Sequence, residues 1–532
     1  NASNLVSKTN TLIGTQGNGW ASGYLYPGAT YPFGMVQFTP TYFTKQLGFV
    51  INQLSGAGCD HMGNFPTLPI AGALRVSPDS ILNMQTPVGK EIGTAGYYAA
   101  TVDHSIRAEL TVTERTGMAR YTFSSKEKQG TVIIGGGVAA TSIQVAAIKI
   151  TGPHSCEGYA EGGAFCGIPT PYKVYFVAEF DADAESFGTW KEERLHANHT
   201  FAEGSHSGVY FTFPLKEGNQ AVQYKIGVSY VSVENARENL RVENPAWDFS
   251  AVRQATQDKW NEYLGKIEVE GDNEDRQMQF YTHLYRSLIH PNVCSDVNGE
   301  YMGADSQVHK TARKFYTWDT YRTQTALIAM LAPEETSDIV MSHYLFAEQS
   351  GGGFPRWVLA NIETGVMQGD PTPILVANAY AFGARNYDPR TLLRTMRYGA
   401  EVPGANSQGV LTRPGLEQYL EKGYYDASIL LEYTSSDFAI GRFALQACND
   451  EPVCNWYTQR AMNWKNLFNK ETGWLQSRNE DGSWKRYDAD WRESTYKNYF
   501  WMVPYDLQGL IDSIGGKEAA EKRLDEMFRR LD

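Results

Sequence analysis

The sequence predicts a multidomain β + α protein, with an N-terminal β-sandwich over residues 1–245, a helical linker over 246–272 and a helical domain over 273–532. Three observations carry this. A chain of 532 residues is too long for one ordinary core. Up to about residue 245, apolar residues recur every second position between Gly-rich turns, as on one buried face of a strand. Near Trp247 the spacing changes to three and four, the period of a helix with one apolar face.

The strands are read in order. Ile106, Ala108, Leu110 and Val112 alternate strictly, and after a turn at Arg115–Gly117 so do Met118 and the run around Tyr121 and Phe123. Residues 172–180, YKVYFVAEF, make a denser strand, and Val222, Tyr224, Ile226, Val228 and Tyr230 alternate again. Many strands with almost no helical periodicity imply a large sandwich. Phe249, Val252, Trp260, Tyr263 and Leu264 then follow helical spacing behind Asp248, a natural N-cap. A strand-like KIEVEGD comes next. Met278, Tyr281, Leu284, Tyr285 and Leu288 open a run of helices expected over 273–290, 319–331, 334–349, 372–386, 389–400, 434–449, 452–468, 495–513 and 516–530. Long loops rich in Gly, Trp and charge separate them, at 302–318, 350–371, 403–432 and 470–494. Short helices joined by such loops fit an α/α barrel or a solenoid with a site built by loops at one end.

A net charge of −13 argues against nucleic acid or an anionic membrane surface as the main partner. No apolar run is long enough to span a bilayer. The chain opens NASN, as though a leader had been removed, which points to an exported protein in the periplasm, at the cell surface or secreted. Among six cysteines, Cys156 and Cys166 bracket one short loop and Cys448 and Cys454 another. Two such loops fit disulfides better than zinc, because no second Cys pair is near either of them. Cys59 and Cys294 are left to pair with each other or stay free. Sequons occur at Asn1 and Asn198.

Aromatic residues form 13% of the chain, with 32 Tyr and 12 Trp, a surplus that suits sugar ligands and large cores alike. Around Asp488, Asp490 and Glu493 an acidic cluster precedes Tyr496, Tyr499, Phe500 and Trp501. A carboxyl held against aromatic walls loses solvation, its pKa rises, and it becomes a general acid near neutral pH. The same cluster can equally be a solvated turn above a buried helix. Trp318 and Asp319 stand at a helix start, where Asp319 can cap the helix or accept hydrogen bonds from a sugar diol beside the indole. In GGGFPRW, Arg356 and the later Glu363 can contact a ligand or each other. His61, within SGAGCDHMGNFP, is a ligand contact or a hydrogen-bonded loop histidine. No nucleophile elbow, P-loop, dinucleotide fingerprint or HExxH is present. Carboxylates among aromatics remain, which is what glycoside hydrolysis uses.

Five ordered segments resemble glycoside hydrolase family 92, the calcium-dependent exo-acting α-mannosidases. Residues 28–37, GATYPFGMVQ, resemble the family's GATxPFGMVQ. Residues 54–59 with Phe65-Pro66 resemble its LSGAGC…FP loop, and Trp318-Asp319-Thr320-Tyr321-Arg322 resembles WDTFR. Phe354-Pro355-Arg356-Trp357 with Glu363-Thr364 and Met367 resembles LPxW…ET..M. Glu493, Trp501, Val503-Pro504 and Asp506 keep the spacing of EGNAWQYxWxVPHD. The sequence departs at Asn52-Gln53, for the family's Thr-His, and at Ser494-Thr495-Tyr496, for its Gly-Asn-Ala.

The resemblance implies an (α/α)6 barrel for the helical domain, Glu493 as general acid, and a mannose subsite shaped by Trp318 and Asp319, with Arg356, Glu363 and His61 as further substrate contacts. It implies inverting hydrolysis of mannose-terminated glycans with calcium on the sugar hydroxyls. The family's GNEP…HH and GNEDCGQ motifs, which carry the base and much of the calcium site, have no counterpart here, and 507–532 offers only a helical pair carrying Asp512 and Asp525. The expectation is therefore an incomplete barrel that works with a C-terminal portion, either supplied as a second polypeptide, as after proteolytic nicking, or belonging to the same protein beyond the given sequence. Two other readings stay open: another α-glycoside hydrolase or phosphorylase of the (α/α)-barrel kind, and a glycan-binding protein without the base.

Overall fold

The computed structural model describes residues 4–16, 23–41, 47–82 and 87–530. The chain forms two compact units. The first comprises the residues up to Met302 with Gln307–Tyr316 and Ala360–Ile362, and the second comprises Gly303–Ser306, Thr317–Leu359 and Glu363–Asp532.

Period-two sequence makes the first unit. Ser155–Gly162 buries every second residue, and the expected strands appear at Ile106–Val112, Thr116–Thr122, Tyr172–Phe180 and Ala221–Ser229. These belong to a nine-stranded antiparallel sheet, and a second sheet of eight strands includes Thr67–Ala71, Gln129–Gly135 and Ser207–Pro214. Aromatic side chains join the inner faces. Phe180 of the larger sheet packs on Phe211 and Phe213 of the smaller, each with ring centroids 4.9 Å apart. Trp190 is fully buried because its cross-strand partner is Gly208, where a Cβ would come within 2.2 Å of the indole.

Three of the longer helices belong to this unit. The first, α1, spans Val233–Glu243 and lays Ala236 and Leu240 on Val177 of the sheet. Its cap is Ser232, which accepts from the amide of Asn235. The sequence reading missed it, because only a few apolar residues mark its buried face. Helix α2, Phe249–Leu264, starts at Asp248, whose carboxylate accepts from the amide of Ala251. Its Trp260 donates to the carbonyl of Thr30 at 2.7 Å. Helix α3, Glu274–Ser287, is capped by Asn273. The strand-like residues 266–272 pair with nothing in a sheet and stay irregular.

The cysteine pairing differs from the expectation. Cys59 is bonded to Cys166, while Cys156, Cys294, Cys448 and Cys454 are free thiols. Cys156 lies inside a strand, in register with Ala178, and its side chain points into the core, whereas Cys166 lies in the connection beyond that strand. Burial pushes the Cys156 thiol well up. Short sequence spacing was the wrong guide, because the sheet fixes which way a side chain points.

The second unit is helical. Its helices are α4 (Gln324–Leu331), α5 (Pro333–Gln349), α6 (Thr372–Ala381), α7 (Pro389–Glu401), α8 (Leu416–Lys422), α9 (Ala427–Cys448), α10 (Glu451–Ala461), α11 (Leu507–Ser513) and α12 (Lys517–Phe528). The 22-residue α9 is its shaft, with residues in both core clusters. One holds Leu375, Leu392, Met396, Ile440 and Phe443, and the other Leu430, Leu431, Trp464, Phe500 and Leu510. The shaft ends at Asn449 in the left-handed conformation, a C-terminal stop. Asp450 then caps α10, which is why Cys448 and Cys454 fall on two different helices.

Helix ends depart from the periodicity at several places: the expected 372–386 and 452–468 helices end at Ala381 and Ala461, and the loop expected over 403–432 holds α8. The expected 319–331 helix starts only at Gln324, because Asp319 and Thr323 both have positive φ. The expected 434–449 helix starts seven residues earlier, at Ala427. The expected 495–513 helix is broken. It makes one turn at Tyr496–Tyr499 and resumes at Leu507, since Pro504 holds Val503 out of the helical region at φ −132° and ψ 54°.

Candidate active site

The turn from Trp318 to Thr323 is the first wall of the site. Trp318, 9% exposed, stacks almost parallel on Trp357, with ring centroids 4.7 Å apart and 12° between planes. Asp319 follows in the left-handed conformation, at φ 45°. As a residue it is exposed, yet its carboxyl is crowded by protein and is pushed up to about 6. Desolvation is the main cause and the nearby charge of Glu493 the second, while a hydrogen bond with Trp357 pulls the other way.

Arg356 and Glu363 lie on the adjoining loop and do not pair through their side chains. The Arg356 guanidinium donates to the carbonyls of Gly365, Val366 and Gly369 at 3.0–3.3 Å. The Glu363 carboxylate accepts from the amides of Arg356, Trp357 and Gly365. Each therefore organises backbone. Glu363 is buried and its carboxyl is raised, by desolvation above all.

Glu493 is exposed, at φ 56°, and opens onto a cleft of about 390 Å³ whose walls include Arg322, Tyr499, Trp501 and Met502. The acidic cluster around it disperses. Asp488 pairs with Arg486 at 3.1 Å, and Asp490 pairs with Lys485 at 3.1 Å. The Glu493 loop is held by the shaft helix, where Ser428 donates to the carbonyl of Asp490 at 2.8 Å. Tyr499 closes it from the other side, donating to the carbonyl of Arg492 at 3.0 Å.

Under the cleft lies Glu432, on α9. Both its oxygens stand 3.0–3.1 Å from the Tyr321 hydroxyl, which donates. Burial pushes the Glu432 carboxyl up to about 7, Asp319 adds to the rise, and Arg322 and the Tyr321 hydrogen bond oppose it. Behind it, fully buried Arg413 bridges Asp370 at 2.9 Å and Asp437 at 2.8 Å. Asp437 also takes Arg460 at 3.1 Å and the Tyr419 hydroxyl at 2.6 Å.

Comparison with known proteins identifies the chain. The model of the family described as "Glycosyl hydrolase family 92 catalytic domain" matches residues 235–532, and that of "Glycosyl hydrolase family 92 N-terminal domain" matches residues 9–229. The chain belongs to glycosyl hydrolase family 92. Two solved family 92 structures are similar to it. A GH92 alpha-mannosidase from Bacteroides thetaiotaomicron superposes with a TM-score of 0.89 at 25% identity, over 99% of this chain and 75% of that one. An inverting GH92 mannosidase from Bacteroides thetaiotaomicron VPI-5482 gives a TM-score of 0.88 at 26% identity, over 98% and 74%. A protein of Arthroderma benhamiae described as an uncharacterized secreted glycosidase is 25% identical, over 97% of this chain and 72% of its own length.

Within this family 92 chain, Trp318, Asp319, Arg356, Glu363 and Glu493 all fall in the second unit. His61 belongs to the first unit, and its ring is buried. Its Nε2 accepts from the amide of Leu54 at 2.8 Å and its Nδ1 lies 2.8 Å from the carbonyl of Cys59. Burial lowers its pKa to about 4, so it is neutral and holds its own loop. The family is calcium-dependent, but among the described residues no three His, Cys, Asp or Glu side chains gather as a metal ion would need. The described residues do not by themselves make a calcium site. Among the described residues no helix is long and apolar enough to cross a membrane.

The sequence reading missed Glu432, Ser428 and Gln368, whose side-chain oxygen accepts from Ser428 at 3.1 Å and whose amide nitrogen donates to the Tyr499 hydroxyl at 3.4 Å. Glu432 had a legible signal, a lone carboxylate inside the apolar run 427–444, where a buried charge is costly without a partner.

Proposed function

We propose that this chain is an exo-acting α-mannosidase that hydrolyses terminal α-mannosides of glycans with inversion. The observation that carries the reading is Glu493, a carboxylate at the family's general-acid position, opening onto a cleft beside Arg322 and aromatic walls. Glu493 protonates the departing glycosidic oxygen. Trp318, packed on the buried Trp357, backs Asp319, whose ionised carboxylate accepts from sugar hydroxyls. Arg356 and Glu363 act indirectly, by fixing the loop that carries Trp357. The protein is exported; the Cys59–Cys166 bond, which needs an oxidising compartment, supports that, as does the secreted relative.

The test is a panel of aryl α-glycosides given to the purified protein with any co-purifying polypeptide. The mannoside is expected to be cleaved and β-mannose to appear first by NMR, with activity lost to EGTA and restored by calcium. Glucose release in place of mannose would overturn the substrate. Saturable mannoside binding without turnover would make it a binding protein.

Asp319 gives the reading a pH signature. Its carboxyl titrates at about 6, so it is charged at neutral pH and loses that charge as pH falls through 6. KM for mannosides should therefore rise on the acid side of pH 6. Asp319→Asn should have a higher KM above pH 6, approach the parent below it, and show a flatter KM profile between pH 5 and 7. An unchanged profile in that variant would remove Asp319 from the subsite.

A further inference from the structure

Helix α9 turns one polar row towards three loops of the site. Ser428, Glu432 and Ser436 recur every four residues, so they stand on one face about 6 Å apart along the axis. All three are buried. Ser428 donates to the carbonyl of Asp490 at 2.8 Å and faces the amide of Arg492 at 3.4 Å, on either side of Trp491. Glu432 takes the Tyr321 hydroxyl, and Ser436 donates to the carbonyl of Asp370. The approach is as close as backbone allows, because a Cβ on Gly369 would come within 2.6 Å of the Glu432 Cβ.

We propose that this row is a positioning device. Ser428 sets the loop of Glu493, Glu432 sets the Asp319–Arg322 turn through Tyr321, and Ser436 sets the Gly369–Asp370 segment. None of the three needs to touch a sugar. The loops need such anchors because Asp319, Thr323, Asp490 and Glu493 all hold positive φ without being glycine, a conformation that persists only where neighbours enforce it. The Glu493 loop and the Asp319–Arg322 turn hang on different rungs, so these two should loosen independently, whereas the Gln368–Asp370 segment is shared, because Ser428 also reaches the Gln368 side-chain oxygen at 3.1 Å.

Hydrogen exchange read by mass spectrometry tests this without needing activity. Ser428→Ala should raise exchange across 487–499 about fivefold, the effect of one net hydrogen bond, and leave 318–327 unchanged. Tyr321→Phe should do the reverse. Glu432→Leu should match Tyr321→Phe, and the double variant should add nothing further. Glu432→Gln, which still offers an acceptor to the hydroxyl, should keep the 318–327 segment protected. If either variant loosens both segments, neither segment, or the whole second unit uniformly, the proposal is overturned. The kinetic arm rests on the mannosidase reading. Ser428→Ala should lower kcat about tenfold with KM kept, and Tyr321→Phe should raise KM with kcat kept. Segment-specific exchange without that kinetic split would count against the mannosidase reading and leave the row standing.

Discussion

Replacing Glu493 with Gln is expected to slow hydrolysis of mannose-terminated glycans by about 10²–10⁴-fold, the usual worth of a positioned general acid. A glycan leaves as an alkoxide unless it is protonated during bond cleavage, and the amide of Gln cannot supply that proton. A 2,4-dinitrophenyl mannoside leaves as a stable anion, so its kcat/KM should fall far less. The ratio between the two substrates is the measurement. Because Glu493 is exposed, the variant should fold normally, and thermal stability should match the parent. Full activity on glycans in the Gln variant would remove this residue from the acid role.

Asp437→Ala should destabilise the second unit by about 3–5 kcal/mol. Its side chain is wholly buried and serves Arg413, Arg460 and the Tyr419 hydroxyl at once. Two guanidinium groups and two carboxylates balance in this cluster, with Asp370 as the second acid. Removing one acid leaves a buried cation without its counter-charge, where desolvation is not repaid. Urea unfolding followed by Trp fluorescence reads the loss. A change below about 1 kcal/mol would mean that water or a shifted side chain compensates readily. Asp437→Asn should cost less, since it keeps an oxygen for the Tyr419 hydroxyl but not the charge.

The fold was largely legible because burial imposes a period. Tyr172–Phe180 is dense enough in apolar residues to be read as a strand, and the structure gives it the same bounds. Asp248 was legible as a cap because a short acceptor before a helical run satisfies an otherwise unpaired amide. The helix over 495–513 failed for a local reason, Pro504, that apolar spacing does not register. The disulfide failed for a global one, since which thiols meet is decided by sheet register and loop paths far apart in sequence. In the site, the loops from Trp318 and Phe354 and the Glu493 segment were found as motifs, but not what holds them. Burial raises the carboxyls of Asp319, Glu363 and Glu432, none of which belongs to the acidic cluster that neighbouring aromatics made conspicuous. The reason is geometric. Asp488 and Asp490 find basic partners near the surface, while Glu432 is carried into the interior by a helix whose start was placed too late.

The bond between Cys59 and Cys166 ties together positions 107 residues apart. A single protease cut anywhere between them leaves both pieces covalently attached, and the paired strands keep them folded together as well. Such a nicked chain would migrate as one species until a reductant is added, so its integrity has to be judged on reducing gels. Wherever the protein meets a protease, the same bond turns a backbone break in that stretch from a loss of the molecule into a scar it can carry.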